Sequence, residues 1–161
     1  MKAQVNSTWL EQSGRTKQEV FSPEFEEIVR KGIDETLGLF VIEALRSKFD
    51  LQRLSQKMDC TGVEAFVNSL HLMDFGFERM EAAECFALIA SLDSWLDSIP
   101  EGRQLRVVIS GPSEDAVFRT FLIREDQPWL VDDLESYGEA IFVADLQGRA
   151  ARKAPLARGE V

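Results

Sequence analysis

Residues 37–45 read Leu-Gly-Leu-Phe-Val-Ile-Glu-Ala-Leu. Seven of the nine are apolar, they fall on every side of a helical wheel, and Glu43 is the only charge. A helix that is apolar all round is a buried helix. Nine residues are too few to cross a bilayer, which takes about 20. The stretch is therefore expected to be the middle of a buried core helix, with the other elements wrapped around it.

Upstream, Ser22 suits a helix N-cap, Pro23 the first helical position, and Glu24, Glu26 and Glu27 the positive end of the dipole. Phe25, Ile28, Val29, Ile33, Leu37, Phe40, Val41, Ala44 and Leu45 then keep a 3.6-residue period. Gly32 and Gly38 interrupt it, each at a cost of about 1 kcal/mol relative to Ala. A break near Gly32 is accordingly expected, with Asp34 capping the second piece. Downstream, Asp50 is expected to cap a short helix over 51–58. Thr61 and Glu64 have capping-box spacing ahead of a third helix with Val63, Phe66, Val67 and Leu70 on one face. Cys85, Leu88, Ile89, Leu92, Leu96 and Ile99 mark a fourth, ended by Pro100 and Gly102.

After Gly102 the pattern changes to strands. Residues 105–110 hold the run Val107-Val108-Ile109, residues 116–124 are apolar on both faces, Trp129-Leu130-Val131 form a short third strand, and residues 140–144 a fourth. The expected fold class is α+β: four N-terminal helices packed on one face of a small, mainly antiparallel C-terminal sheet of three to four strands. Residues 1–21 are expected to be a flexible arm carrying Trp9-Leu10, residues 22–146 a single domain, and residues 147–161 a disordered basic tail.

The chain has 161 residues, 45% of them apolar, enough for one domain without a metal or disulfide. Its formal net charge of −10 repels nucleic acid, whose binding depends on Lys and Arg neutralising phosphates, and disfavours anionic membrane surfaces. No run of 18 apolar residues and no secretory h-region is present. Cys60 and Cys85 form no CxxC pair, so a cytoplasmic location with reduced thiols is expected.

No complete catalytic constellation emerges. Leu51, Leu54, Ser55, Met58, Cys60 and Thr61 resemble the first helix and turn of a helix-turn-helix unit. The following segment, however, offers Glu64, Asn68, Ser69 and His71 and no Lys or Arg. His71 is the single histidine, read as a surface residue, and its pairing with Cys60 as an activated thiol has no motif behind it. Cys85 sits on an apolar stripe as a small core residue. Asp132, Asp133 and Glu135 lack calcium-loop spacing, and residues 110–113 lack the Lys of a phosphate loop. No cofactor, no metal and no enzymatic activity are expected.

Charge distribution is the informative feature. Residues 114–145 carry nine acids and two bases, Arg119 and Arg124, a net of −7, whereas the chain after Gly148 has a net of +3. Solvated loops that keep a sheet soluble would account for this. So would an acidic face that steers a basic partner. The functional expectation is a small acidic interaction module (an adaptor, assembly chaperone or inhibitor-type partner) that binds a basic surface of another protein. Its candidate contact residues are Glu125, Asp126, Trp129, Asp132, Asp133 and Glu135. Nucleic acid and membrane are not expected partners, and a homodimer stays open. The alternative is a pocket protein binding a small molecule or acting as an enzyme, with a helix-turn-helix regulator third.

The strand over 118–124, its acidic turn and Trp129-Leu130-Val131-Asp132-Asp133 resemble the closing hairpin of cone-shaped helix-plus-curved-sheet domains of the nuclear-transport-factor-2-like group. That resemblance covers about 16 residues and implies a pocket between helices and sheet. The group includes both binding proteins and enzymes, so the fold alone would not decide.

Overall fold

Gly32 and the Leu37-Gly38 pair decide how the first third of the chain folds. The structure, a computed structural model, describes residues 2–5, 21–77, 80–131 and 133–149. Helix α1, Pro23–Lys31, starts where the Ser22 hydroxyl accepts the Phe25 N–H at 3.2 Å, with Pro23 in its first turn. It stops at Gly32, whose φ of 77° lies in the left-handed region and cannot continue a helix. Strands β2, Ile33–Thr36, and β3, Leu39–Ile42, then pair antiparallel, with Ile33 opposite Ile42 and Thr36 opposite Leu39. Leu37 and Gly38 form the two-residue turn between them, at φ of 56° and 76°.

The core helix expected over 37–45 is therefore a turn, a strand and a one-turn helix, α2, Glu43–Arg46. All four residues of β3 are buried. A strand covered on both faces is as continuously apolar as a buried helix, so periodicity does not separate them. The two glycines and the Val41-Ile42 pair favour the strand.

Helix α3, Leu51–Ser55, is capped by Asp50, which accepts the Arg53 N–H at 3.0 Å. Helix α4, Cys60–Val67, is capped by Asp59, which accepts the Gly62 N–H at 2.7 Å. Thr61 is thus inside the helix rather than its cap. Strand β4, Ser69–His71, follows. Helix α5, Ala82–Ser91, has its capping box at Glu81 and Glu84 and tightens into a 3₁₀ run, Leu92–Asp97. In that run Trp95 is buried and donates its indole N–H to the Val29 carbonyl at 2.8 Å, tying α5 to α1.

Strands β5, Gln104–Ser110, β6, Val117–Leu122, and β7, Ile141–Gln147, are the sheet centre. Strand β1, Lys2–Val5, pairs with β7, and the order is β1-β7-β5-β6-β4, antiparallel throughout. The expected architecture of four leading helices on a sheet of three to four strands is corrected on both counts. The described residues hold five α-helices interleaved with β1–β4, and a five-stranded sheet beside a two-stranded hairpin. Residues 2–5 are a strand and not an arm. Trp9-Leu10 and the chain from 150 onward lie outside the described residues. Residues 147–149, assigned to the tail, are part of the fold: Gly148 and Arg149 donate backbone N–H groups to the Arg103 and Leu96 carbonyls, both at 3.0 Å. Trp129-Leu130-Val131 form no strand. Among the described residues of 123–140 the one regular element is a short 3₁₀ turn, Leu134–Ser136, and none forms the hairpin that carried the resemblance to the nuclear-transport-factor-2-like group.

Strand alternation places buried residues on both faces of the five-stranded sheet. Leu105, Val107 and Ile109 of β5, Phe118 and Leu122 of β6, and Phe142 and Ala144 of β7 join the helices' Phe25, Leu88, Leu92 and Trp95. Val108, Phe121, Ile141 and Val143 face the other way and are covered by Leu130, Leu134 and Tyr137 of the 123–140 segment.

Hairpin β2–β3 joins the sheet through side chains of α4. Glu64 accepts the Phe40 N–H on one oxygen and the Leu122 N–H on the other, both at 2.8 Å. Asn68 accepts the Ile42 N–H at 2.8 Å and donates to the Phe40 and Thr120 carbonyls at 2.8 and 3.0 Å. Arg124 closes the network with a two-pronged pair to Glu64 at 2.6 and 2.9 Å, and the Glu64 carboxylate raises the Arg124 pKa further. Two buried side chains thus supply to β3 and β6 the backbone partners that a ladder would have given.

Candidate functional site

Segment 123–140 crosses the second face of the sheet, where Leu130, Leu134 and Tyr137 pack on Val108, Phe121, Ile141 and Val143, and two hydrogen bonds shape its path. At its start, Gln127 accepts the Thr61 N–H at 3.2 Å, fixing the turn to the head of α4. Near its end, the Tyr137 hydroxyl accepts the Val131 N–H at 3.1 Å. Asp133 accepts the Glu135 N–H at 3.1 Å and opens the 3₁₀ turn.

The candidate contact residues fall on this segment as follows. Glu125, Asp126, Asp133 and Glu135 are exposed, as is Glu139. Asp132 lies outside the described residues. Trp129 is 39% exposed: one side of its ring packs on Phe121, with centroids 5.3 Å apart, and the Arg119 guanidinium carbon sits 5.8 Å from its centroid. Val131, two residues on, is 55% exposed. The segment therefore presents an apolar island inside a run of acids.

Beside Trp129 opens a groove of about 270 Å³, with Ser110, Arg119, Tyr137 and Glu139 among its polar lining and Val108, Leu130 and Ile141 among its apolar lining. Arg119 donates to the Ser110 hydroxyl at 3.2 Å. Burial lowers its pKa, and the Glu139 carboxylate opposes that shift. Sequence reasoning counted Arg119 only as a charge. The available signal was an arginine inside the β6 run Val-Phe-Arg-Thr-Phe-Leu, both faces of which are buried.

The other constellations come apart. Glu64 and Asn68 are buried and Phe66 is 52% exposed, the reverse of the surface a DNA-reading helix needs. His71 is exposed and pairs with Asp115 at 3.1 Å. Burial pushes the Cys85 thiol well above its ordinary pKa, with Glu84 adding to the shift. Among the described residues no group of three or more His, Cys, Asp or Glu is placed to hold a metal ion, and no helix is long and apolar enough to cross a membrane. A second groove, of about 390 Å³, runs between α5 and the end of β7, with Phe86, Ile89 and Leu146 and the Asp93–Arg149 pair in its lining.

No curated protein matches the chain. No solved structure matches it either. A family model does match over residues 5–153, nearly the whole of the fold just described, and the chain belongs to the uncharacterized protein PM0498 family.

Proposed function

We propose that this protein is an interaction module that docks a basic surface of another protein on segment 125–139. The observation that carries the reading is composition joined to exposure. Residues 125–139 contain six acids and no Lys or Arg, and Trp129 and Val131 stand exposed among them. An aromatic and aliphatic centre inside a charged rim is the usual anatomy of a protein interface. The rim charges raise the association rate in a salt-dependent way, and the apolar centre sets how long the complex lasts.

The test is capture from a native lysate by the full chain, compared with two variants. One neutralises the rim (Glu125→Gln, Asp126→Asn, Asp133→Asn, Glu135→Gln), and the other is Trp129→Ala. The expected result is a protein retained by the wild type at low salt, released as salt rises, and lost from both variants. With that protein purified, the rim variant slows association and Trp129→Ala speeds dissociation. Capture indifferent to both variants would overturn the reading.

A further inference from the structure

We propose that the groove beside Trp129 is a binding site for a carboxylate carried on a flat or apolar body, with Arg119 as its anchor. The inference goes beyond protein docking: it concerns the floor under the segment rather than its acidic rim, and it needs no basic partner.

The first observation is an arginine whose donors are largely unused. Arg106 makes a two-pronged pair with Asp145 at 2.7 and 2.8 Å, Arg124 does so with Glu64, and Arg149 does so with Asp93. Among the described residues Arg119 has no such two-pronged carboxylate partner. Among the described residues its hydrogen bond is to the Ser110 hydroxyl, through one Nη. A guanidinium carries five N–H donors in a rigid fork that fits a carboxylate. The side chain is half-buried, so water replaces the missing partners less well than at the surface. The acid that shares the groove, Glu139, acts on the guanidinium through its charge.

The second observation is the shape of the space around the fork. The Trp129 ring centroid lies 5.8 Å from the guanidinium carbon and 5.3 Å from the Phe121 ring centroid, and the indole is 39% exposed, an apolar surface beside the charge. Val108 and Ile141 line the groove as well, and the Ser110 and Tyr137 hydroxyls add polar groups. About 270 Å³ accommodates an aromatic acid or the last side chain of a peptide. The Glu139 carboxylate in the lining selects among anions. A singly charged carboxylate meets less repulsion there than a phosphate, whose charge is about −1.5 to −2 at pH 7.

The probes are benzoate, its neutral isostere benzamide, and two short peptides ending in Phe, one with a free C-terminus and one amidated. Their titration is followed by NMR of the Trp129 indole N–H and the Arg119 Nε–H, assigned with Trp129→Phe and Arg119→Lys. Benzoate is expected to shift both signals saturably and to bind about tenfold or more tighter than benzamide, the contrast a charge-assisted hydrogen bond gives. Arg119→Gln should abolish saturation, Arg119→Lys should weaken it because the fork is lost, and Glu139→Gln should tighten it. The fold of each variant is checked by its urea midpoint, and Arg119→Lys, which keeps the charge, stands in if Arg119→Gln unfolds. Saturation by the free-ended peptide but not the amidated one would place the carboxylate on a chain terminus. Saturation by benzoate alone would make the site one for small acids. Equal binding of benzoate and benzamide, no saturation by either benzoate or the free-ended peptide, or wild-type affinity in the Arg119 variants would overturn the proposal. None of these probes is basic, so loss of the docking reading leaves this test unaffected.

Discussion

Glu64 illustrates how much a single residue can carry in this fold. It is fully buried, yet its two oxygens accept two backbone N–H groups and both prongs of Arg124. Removing one partner of a buried pair leaves the other unpaired, typically at about 3–5 kcal/mol. Glu64→Ala is expected to cost that much in urea unfolding, and a loss below about 1 kcal/mol would mean that α4 does not hold β3 to β6. The cysteines give a second residue-scale expectation. Cys85 is buried with its thiol pushed up, whereas Cys60 is half-buried at the head of α4. Thiolate is the reactive form, so at pH 8 iodoacetamide should label Cys60 in the native protein and Cys85 only in denaturant. Peptide mass spectrometry reads the difference.

At the scale of elements, hairpin β2–β3 carries a local conflict. Its turn needs positive φ at both positions, a geometry that favours Asn-Gly, and the chain supplies Leu37-Gly38. A non-glycine residue in the left-handed region costs roughly 1–2 kcal/mol, and Asn tolerates it better. Leu37 is 70% exposed, so little packing repays the strain. Leu37→Asn should therefore raise stability, by about 0.5–1 kcal/mol if half the strain is relieved; a lower urea midpoint would show that a contact holds Leu37. Phe40, on the other strand of the hairpin, is in the main core. Phe40→Ala is expected to cost about 3–5 kcal/mol, as buried aromatic truncations do.

At the scale of the whole molecule, charge and burial divide the labour. Neutralising Glu125, Asp126, Asp133 and Glu135 changes four exposed side chains. Exposed charges contribute little to stability, so the urea midpoint should move by the equivalent of less than about 0.5 kcal/mol of unfolding free energy while any association that depends on the rim slows. A midpoint shift well above that would give the acids a structural role instead. The same distribution argues against nucleic acid. The helix that stood in the reading position, α4, has no Lys or Arg and buries Glu64. A gel shift with competitor DNA is expected to show no specific complex at physiological salt.

The sequence by itself determined the features that depend on neighbours along the chain. Ser22 and Asp50 cap their helices, and the Cys85 to Ile99 stripe is core through α5 and the 3₁₀ run that continues it. The strands over 105–110 and 117–122, and the acidity of 125–139, were equally legible. Each of these is a local preference or a count. Tertiary structure decided the rest. Residues 37–45 are apolar enough for a buried helix or a buried strand, and the pairing of β2 with β3 selected the strand. Residues 2–5 read as a polar arm because a four-residue strand has too short a pattern to register, and β7 gave it an edge to join. Nothing near Glu64 and Asn68 in the sequence marks them as buried, since their backbone partners lie 24 to 58 residues away. Arg119 and Trp129, ten positions apart, meet because segment 123–140 folds back over β6, and a strand's alternation does not say what will cover its second face.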